Sequence, residues 1–462
     1  MALSSSEQRV NVRISVYFGE IIIPGTSLLH SQAHRQDCDQ PASFDKNELP
    51  APYCQMWIPR EITASLQASN DPIQIIRGPR QCGKSSLLLR LAPDFTELSL
   101  DDPALRDLAQ RDPELFLNSF PGQRLLIDEA QYAPALFPSL KRRVDLAKRV
   151  PGYSPTTVFR LTGSNQILMD RQVKESLAGR ASYFDMNTLS VSEILRARSS
   201  TIQDILFRGG WHELHAYPDK DAKRYLDDYI NSYVEKDIVL AAGIQKSGEF
   251  LKFVRLLAGR VGEIVDYASL GNDADVDGKT IKEWLSILER MHVIALVPPF
   301  ASNLSTRLIK SPKVYFIDTG LACRLQGWTS PQQILTTPQQ GLLFENLVFS
   351  EIYKCVLNHQ KDWRIYHWRS RAGEEVDFLL EIAPGKHLFI EAKVSARDPQ
   401  ELSRFPEIKK VFGAQTPESI VCHQEGERIL NRRVPIAQLS LFLLETEAAL
   451  EDKSSRSTGT SR

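Results

Sequence analysis

Residues 78–85 read Gly78-Pro79-Arg80-Gln81-Cys82-Gly83-Lys84-Ser85, with Ser86 following, and fit G-x-x-x-x-G-K-[ST] at every fixed position. That spacing is phosphate chemistry. The glycines let successive backbone N–H groups close around phosphate oxygens, at the positive end of a following helix. Lys84 is then expected to contact the β- and γ-phosphates of ATP, and the Ser85 hydroxyl to coordinate Mg²⁺. The flanks agree: QIIR at 74–77 reads as a buried strand and SSLLLRL at 85–91 as the start of a helix.

Leu125-Leu126-Ile127-Asp128-Glu129 supplies the second half of such a site. An apolar strand ending in carboxylates puts them at the sheet's carboxyl edge, where ligands bind in open α/β folds. Asp128 is expected to hold the Mg²⁺ and Glu129 to polarise the attacking water. Ser164 and Asn165, closing a third strand, read either as sensors of the γ-phosphate or as ordinary turn residues. Arg180, in Ser-Leu-Ala-Gly-Arg, reads either as an arginine finger or as a surface ion-pair arginine. Cys82 either acquires a lowered pKa in the loop's positive field or simply fills space.

A second constellation lies near the C-terminus. Glu375–Glu381 and His387–Lys393 read as strands joined by a turn at 383–386, which brings Asp377 opposite the Glu391–Lys393 end. Glu391 and Lys393, two apart, share one strand face. Two carboxylates holding Mg²⁺, with a lysine to orient water, are what phosphodiester hydrolysis needs. Glu345, on an amphipathic helix, adds a third carboxylate or else belongs to a solvated helix face. The competing reading of the hairpin is a charged sheet surface. Lys361–Arg371 interleaves cations with aromatics, as a strand-tracking surface or an edge strand would.

Strand–helix alternation in the first half demands a parallel sheet covered by helices. The chain has 462 residues, 42% hydrophobic and 24% charged, which suits several domains with cores of their own. Its 56 Lys and Arg against 57 Asp and Glu exclude a wholly basic nucleic-acid coat protein, though not a local basic groove. The six cysteines form no Cys-x-x-Cys pair, so a reducing cytoplasm is the expected location. No apolar run has the length of a membrane span and the N-terminus lacks a signal peptide's layout.

The expected division is a poorly ordered extension at 1–55, or a start codon assigned too far upstream, then a P-loop domain at 56–200. A helical, winged-helix-like connector at 201–325 and a linker at 326–340 follow. An α/β domain at 341–445 and a disordered tail at 446–462 complete the chain. The connector's helix at 279–290 carries mixed charge, which suits linking or oligomerising at least as well as groove reading.

From Met56 to Glu445 the chain resembles a prokaryotic family of AAA-type P-loop ATPases that end in a restriction-endonuclease-like domain. The resemblance rests on GPRQCGKSSLL, LLIDEAQ, LTGSN, SLAGR, VYFIDTGLA, GLLFENLV, EEVDFLL and IEAK, in that order. It implies an ATPase core, a winged-helix connector and a PD-(D/E)xK-type fold. Lys84, Ser85, Asp128 and Glu129 would then serve ATP, and Glu345, Asp377, Glu391 and Lys393 a DNA-cutting metal site. Val376 stands where the motif's proline would. The resemblance also implies an ATP-dependent homo-oligomer. The alternative is an ATP-gated DNA-binding or signalling module that does not cut.

Overall fold

The computed structural model describes residues 57–164, 177–300, 311–370, 375–383, 385–394, 418–423 and 433–458. The expected N-terminal extension and Asn165 lie outside them.

The first domain is built on β1 (Ile73–Arg77), β2 (Phe95–Ser99), β3 (Arg124–Asp128), β4 (Phe159–Gly163) and β5 (Ala181–Asp185). All the pairings are parallel, in the order β2-β3-β4-β1-β5. IQIIR and RLLID are apolar runs because both faces of a parallel sheet are covered. β4 lies between β1 and β3, so the loops after all three strands open side by side.

The middle domain is helical. Ala222–Tyr229 continues into a π-helix, Ile230–Ile238. Helices Ser247–Ala258, Tyr267–Ala274 and Gly278–Arg290 follow, then the antiparallel ribbon of β6 (Ile294–Val297) and β7 (Lys313–Phe316). The Asp266 and Asp277 carboxylates cap the second and third of these helices by accepting their first N–H groups. Residues 326–340 include a short helix, Pro331–Leu335, whose Ile334 is fully buried.

The C-terminal domain comprises the helix Gln340–Asn358, β8 (Arg364–Arg369), β9 (Glu375–Ala383), β10 (Lys386–Lys393), β11 (Glu418–His423) and β12 (Arg433–Pro435). The sheet order is β12-β11-β10-β9-β8, antiparallel among β8, β9 and β10 and parallel from β10 to β12. Composition assigned 446–462 to a disordered tail. Instead the helix Leu439–Thr458 runs through most of it, because Glu, Ala, Leu and Lys dominate ETEAALEDK and propagate a helix already anchored by buried Leu439 and Leu443.

One continuous apolar core runs through the middle and C-terminal domains, while the first sheet has clusters of its own. Polar contacts join the parts. Asp318, at the end of the ribbon, accepts hydrogen bonds from Thr188 Oγ1 (2.8 Å), Gly210 N (2.8 Å) and Leu321 N (3.2 Å). Gly209, at φ +69°, makes that approach possible: a Cβ there would stand 2.0 Å from Asp318 Oδ1. On the helix Gln340–Asn358, Glu351 accepts from Val191 N (2.7 Å) and Ser440 Oγ (2.9 Å), and Lys354 donates to Leu189 O (2.9 Å).

Gly209→Ala combines a clash with a left-handed backbone, and is expected to cost about 3 kcal/mol, read from the denaturant midpoint. Burial, reinforced by the Glu61 charge, raises the Glu351 pKa from 4.5 to about 7. The folded state therefore keeps a proton that the unfolded chain loses, and stability falls as pH rises from 4.5 through about 7. Glu351→Gln should flatten that part of the profile by up to about 1.4 kcal/mol per pH unit, measured by urea titration across the window.

Candidate functional site

The loop after β1 turns into the helix Lys84–Leu91, whose N-terminal N–H groups face the loop. Gly78 touches the residue just after β5 so closely that a Cβ would sit 1.9 Å from Met186 O, so only glycine closes the loop there. Lys84 is buried and donates to Gly78 O (3.0 Å) and Pro79 O (2.8 Å), which folds the loop around its ammonium group. Ser85 Oγ donates to Asp128 Oδ1 at 2.8 Å. A hydroxyl and a carboxylate in contact, beside a helix N-terminus, are a donor set that fits Mg²⁺.

Glu129 follows at φ +54°, a left-handed conformation uncommon outside glycine and often found at working sites. Its Oε2 accepts from Ser164 Oγ (2.9 Å) and Ser164 N (3.4 Å), and from the Gln131 amide. Thr162 donates its hydroxyl to Asp128 and accepts from Glu129 N. β4 thus stands between the phosphate loop and the carboxylates and braces both acids. Gln131 and Thr162 were not singled out in the sequence; the AQ after the DE pair and the strand order are the signals that locate them.

A cavity of about 410 Å³ is lined by Arg80, Gln81, Lys84, Ser85, Asp101 and Glu129. A neighbouring one of about 230 Å³ shares Gln81, Gly83 and Ser86 and is walled by Trp57, Ile58, Met186, His212 and Tyr217. The first is polar and the second offers flat and apolar faces. The middle domain reaches both sides of the loop. Arg80 pairs with Asp237 (2.8 Å), Tyr225 donates to Gln81 Oε1 (2.7 Å), and Tyr233 touches Ser164 O (3.5 Å). Cys82 is buried with its thiol against Met186 O, a space-filling position.

Arg180 is placed away from this site. It precedes β5, whose Ala181 pairs with Ile73 and whose Asp185 pairs with Arg77, so it lies at the sheet edge opposite the phosphate loop. A five-residue strand, roughly 16 Å, separates the two edges. Arg180 instead forms a two-pronged pair with Asp145. An arginine finger acting within its own subunit is therefore excluded, and the ion-pair reading describes what the side chain does here.

In the C-terminal domain, Ile390 pairs with Phe378, which sets Asp377 beside Glu391. Asp377 Oδ2 accepts from Ala392 N (2.8 Å), and Lys393 donates to Glu391 Oε2 (3.0 Å). Glu345 is buried, not on a solvated face, and its Oε1 accepts from Tyr315 OH (2.5 Å) and Lys313 Nζ (3.3 Å). Burial, and then the Asp377 charge, raises the pKa of Glu345 and of Glu391. The expected sharing of an ion by Glu345, Asp377 and Glu391 is not assembled: among the described residues no three His, Cys, Asp or Glu side chains are arranged to hold one. The physical reason is Lys313, which draws Glu345 toward the ribbon. Part of the cation-and-aromatic stretch, Arg364–Arg369, forms the edge strand β8, with Trp368 packed near Phe389 and Trp363 bonded to Glu447.

Residues 70–195 match a family model described as an AAA domain. Residues 199–332 and 340–441 match domains of unknown function (DUF8612 and DUF4143). The chain is similar to an uncharacterized protein of Mycobacterium tuberculosis, 27% identical over 334 residues, 71% of this chain and 73% of the relative. It is similar also to one of Haemophilus influenzae, 24% identical over 281 residues, 54% of this chain and 68% of the relative. Among solved structures, a Walker-type ATPase of Pyrococcus abyssi aligns at TM-score 0.35 and 15% identity, over 58% of this chain and 95% of that one. RuvB of Thermotoga maritima aligns at TM-score 0.27 and 19% identity, over 52% and 88%. The family match over residues 70–195 makes the first domain an AAA-type P-loop domain. No helix among the described residues is long and apolar enough to cross a membrane.

Because Arg180 lies across the sheet, Arg180→Ala should leave ATP affinity within about twofold, whereas Lys84→Ala should lower it at least about tenfold, both by fluorescent-nucleotide titration.

Proposed function

We propose that the protein is an Mg²⁺-dependent ATPase whose nucleotide cycle moves the middle domain and, through it, a C-terminal domain that acts on DNA. The observation that carries the ATPase part is the contact of Ser85 with Asp128, beside Lys84 and Glu129, on a phosphate loop braced by β4. Ser85 and Asp128 would hold the ion, which would supply charge neutralisation at the phosphates. Lys84 and the backbone N–H groups would bind the phosphates in the 410 Å³ cavity, and the adjoining cavity walled by Trp57 and Tyr217 would take the base.

Glu129 would accept the proton of the attacking water. Its Oε2 is engaged by Ser164 and Gln131, which hold the carboxylate in place and leave Oε1 as the oxygen to take that proton. Arg80 and Gln81 are tied to the middle domain through Asp237 and Tyr225, so rearrangement of the loop around ATP would pull on that domain. With Arg180 at the far edge, any arginine finger from it would come from a neighbouring subunit, as in an ATP-dependent homo-oligomer.

The middle domain's three helices and ribbon support a winged-helix-like connector. The C-terminal helix and mixed sheet, with Asp377, Glu391 and Lys393 at one end of a hairpin, support a restriction-endonuclease-like domain using Mg²⁺ on DNA. A second reading, an ATP-gated DNA-binding or signalling module that does not cut, is favoured by one observation: Glu345 is held by Lys313 and Tyr315 away from a shared ion position.

Glu129→Gln should slow ATP hydrolysis at least about 10²-fold while ATP binding is retained, measured by phosphate release and nucleotide titration. Supercoiled DNA incubated with Mn²⁺ and ATP should be nicked by the parent chain and not by Lys393→Ala. Intact DNA in every lane, with hydrolysis normal, would select the non-cutting reading.

A further inference from the structure

One arginine stands inside the nucleotide site itself. Arg80 is the third residue of the phosphate loop and lines the polar 410 Å³ cavity together with Lys84, Ser85 and Glu129. The neighbouring apolar cavity is lined by Gln81, Cys82 and Gly83, and Arg80 is absent from the described residues around it. The loop therefore presents this side chain where Lys84 and Glu129 converge, the end that suits the terminal phosphate of ATP rather than the base. The guanidinium is held there from outside the first domain. Its Nη1 lies 2.8 Å from Asp237 Oδ2, on the π-helix Ile230–Ile238. Burial opposes the charge of Arg80, but Asp237, with Tyr132, Glu129 and Tyr233 also near, outweighs it and raises the pKa.

Other arginines around the loop are committed elsewhere. Arg60 is 5% exposed and spends its nitrogens on Glu193, Cys82 O (2.8 Å) and Asn187 O (2.6 Å). Arg77 forms a two-pronged pair with Asp185, at 2.9 and 2.8 Å. Arg180 lies across the sheet on Asp145. Arg80 differs from all three, because 43% of its side chain is exposed and a guanidinium has five N–H donors to share. Electrostatics gives those donors a use. ATP brings its most charged group to the end where Asp128 and Glu129 already stand, and Lys84 is the other cation among the described residues lining the cavity.

We propose that Arg80 is a catalytic residue for ATP hydrolysis that acts on the nucleotide of its own chain, with Asp237 as its positioning residue: the guanidinium spans the Asp237 carboxylate and the γ-phosphate. The inference rests on the ATPase reading and on nothing about DNA. As water bonds to the γ-phosphorus, the bond to the β–γ bridging oxygen breaks. Glu129 takes the water's proton, and ADP leaves with that bond's electron pair. Arg80 donates N–H groups to the γ-phosphate oxygens, over which charge is spread in the transition state. ADP has no γ-phosphate, so with ADP bound the guanidinium keeps Asp237 alone. The middle domain thereby reads the nucleotide through the π-helix that carries Asp237.

The test uses the full chain, with phosphate release for hydrolysis and titration of ADP and a non-hydrolysable ATP analogue for binding. Arg80→Ala should lower kcat at least about 10²-fold, weaken the ATP analogue at least about fivefold and leave ADP within about twofold. Asp237→Asn should lower kcat about tenfold with KM within about twofold; a rise in KM alone would overturn its positioning role. Arg80→Ala mixed with Lys84→Ala should stay inactive, because neither chain then holds both groups. Hydrolysis regained in the mixture would overturn action within the chain. Arg80→Ala that hydrolyses at the parent rate, or loses ADP as much as the ATP analogue, would overturn the proposal and leave Arg80 an ion-pair residue. Should Arg80→Ala fail to fold, the parent decides: phenylglyoxal modification of Arg80, read by peptide mass spectrometry, should be slowed at least fivefold by the ATP analogue and not by ADP. Equal protection by both, or by neither, overturns the proposal. A parent chain that binds ATP without hydrolysing it would count against the ATPase reading, and the contrast between ATP analogue and ADP would still decide whether Arg80 meets the γ-phosphate.

Discussion

A carboxylate buried at a junction must find donors for its oxygens or it cannot stay there, and Asp318 meets that demand by drawing separate stretches of chain together. Its donors are the Thr188 hydroxyl just past the first sheet, the Gly210 amide, and the Leu321 amide of the helix it caps. The arrangement works only because Gly209 and Gly320 carry no Cβ: at Gly320 one would lie 2.5 Å from the Arg208 carbonyl carbon. The junction of the first and middle domains is fastened at this point. Glu351 and Lys354 repeat the principle on the C-terminal domain's first helix, one receiving the Val191 amide and the other donating to the Leu189 carbonyl.

That rigidity gives the nucleotide site its leverage. The π-helix Ile230–Ile238 brings Tyr233 to Ser164 and Asp237 to Arg80, while Tyr225, one helical segment earlier, holds Gln81. Widened turns of this kind are rare and cluster at working sites. The same segment contacts the phosphate loop and the strand end that restrains Glu129. A change in either would be transmitted as a displacement of the helix, since its packed side, with Tyr233 against Tyr229 and Tyr229 against Trp211, is part of the continuous core. Side chains in a close-packed interior move together or not at all.

At the far end of the molecule, electrostatics replaces packing as the organising force. Glu345, Asp377 and Glu391 each have a raised pKa because burial and their neighbours' charges oppose ionisation. The pKa values of Lys313 and Lys393 are raised too: burial opposes their charge, but the same carboxylates outweigh it and favour the charged forms. The cluster is therefore held by compensation between domains and not by hydrophobic burial alone. Two-stranded β6–β7 carries its lysine into another domain's acids, so the ribbon and the carboxylate cluster are joined by charge.

Read alone, the sequence identified the phosphate loop, the acidic strand end and the C-terminal hairpin, because each is local: a glycine spacing, an apolar run ending in DE, a turn between alternating strands. It also placed the parallel sheet, since strand–helix alternation leaves few other options. What it left open were matters of distance. Arg180 sits close in sequence to the site's third strand but on the opposite sheet edge, a consequence of β5 running parallel to β1. The tail after Glu445 looked polar enough to be disordered, yet helix propagation from a buried first turn carries it on to Thr458. Lys313, set in the unremarkable sequence PKVYF, gave no local sign of entering a carboxylate cluster more than thirty residues away. Periodicity and spacing record what a segment prefers; which charge neutralises which depends on the folded path, because Coulomb energy follows separation in space and not along the chain.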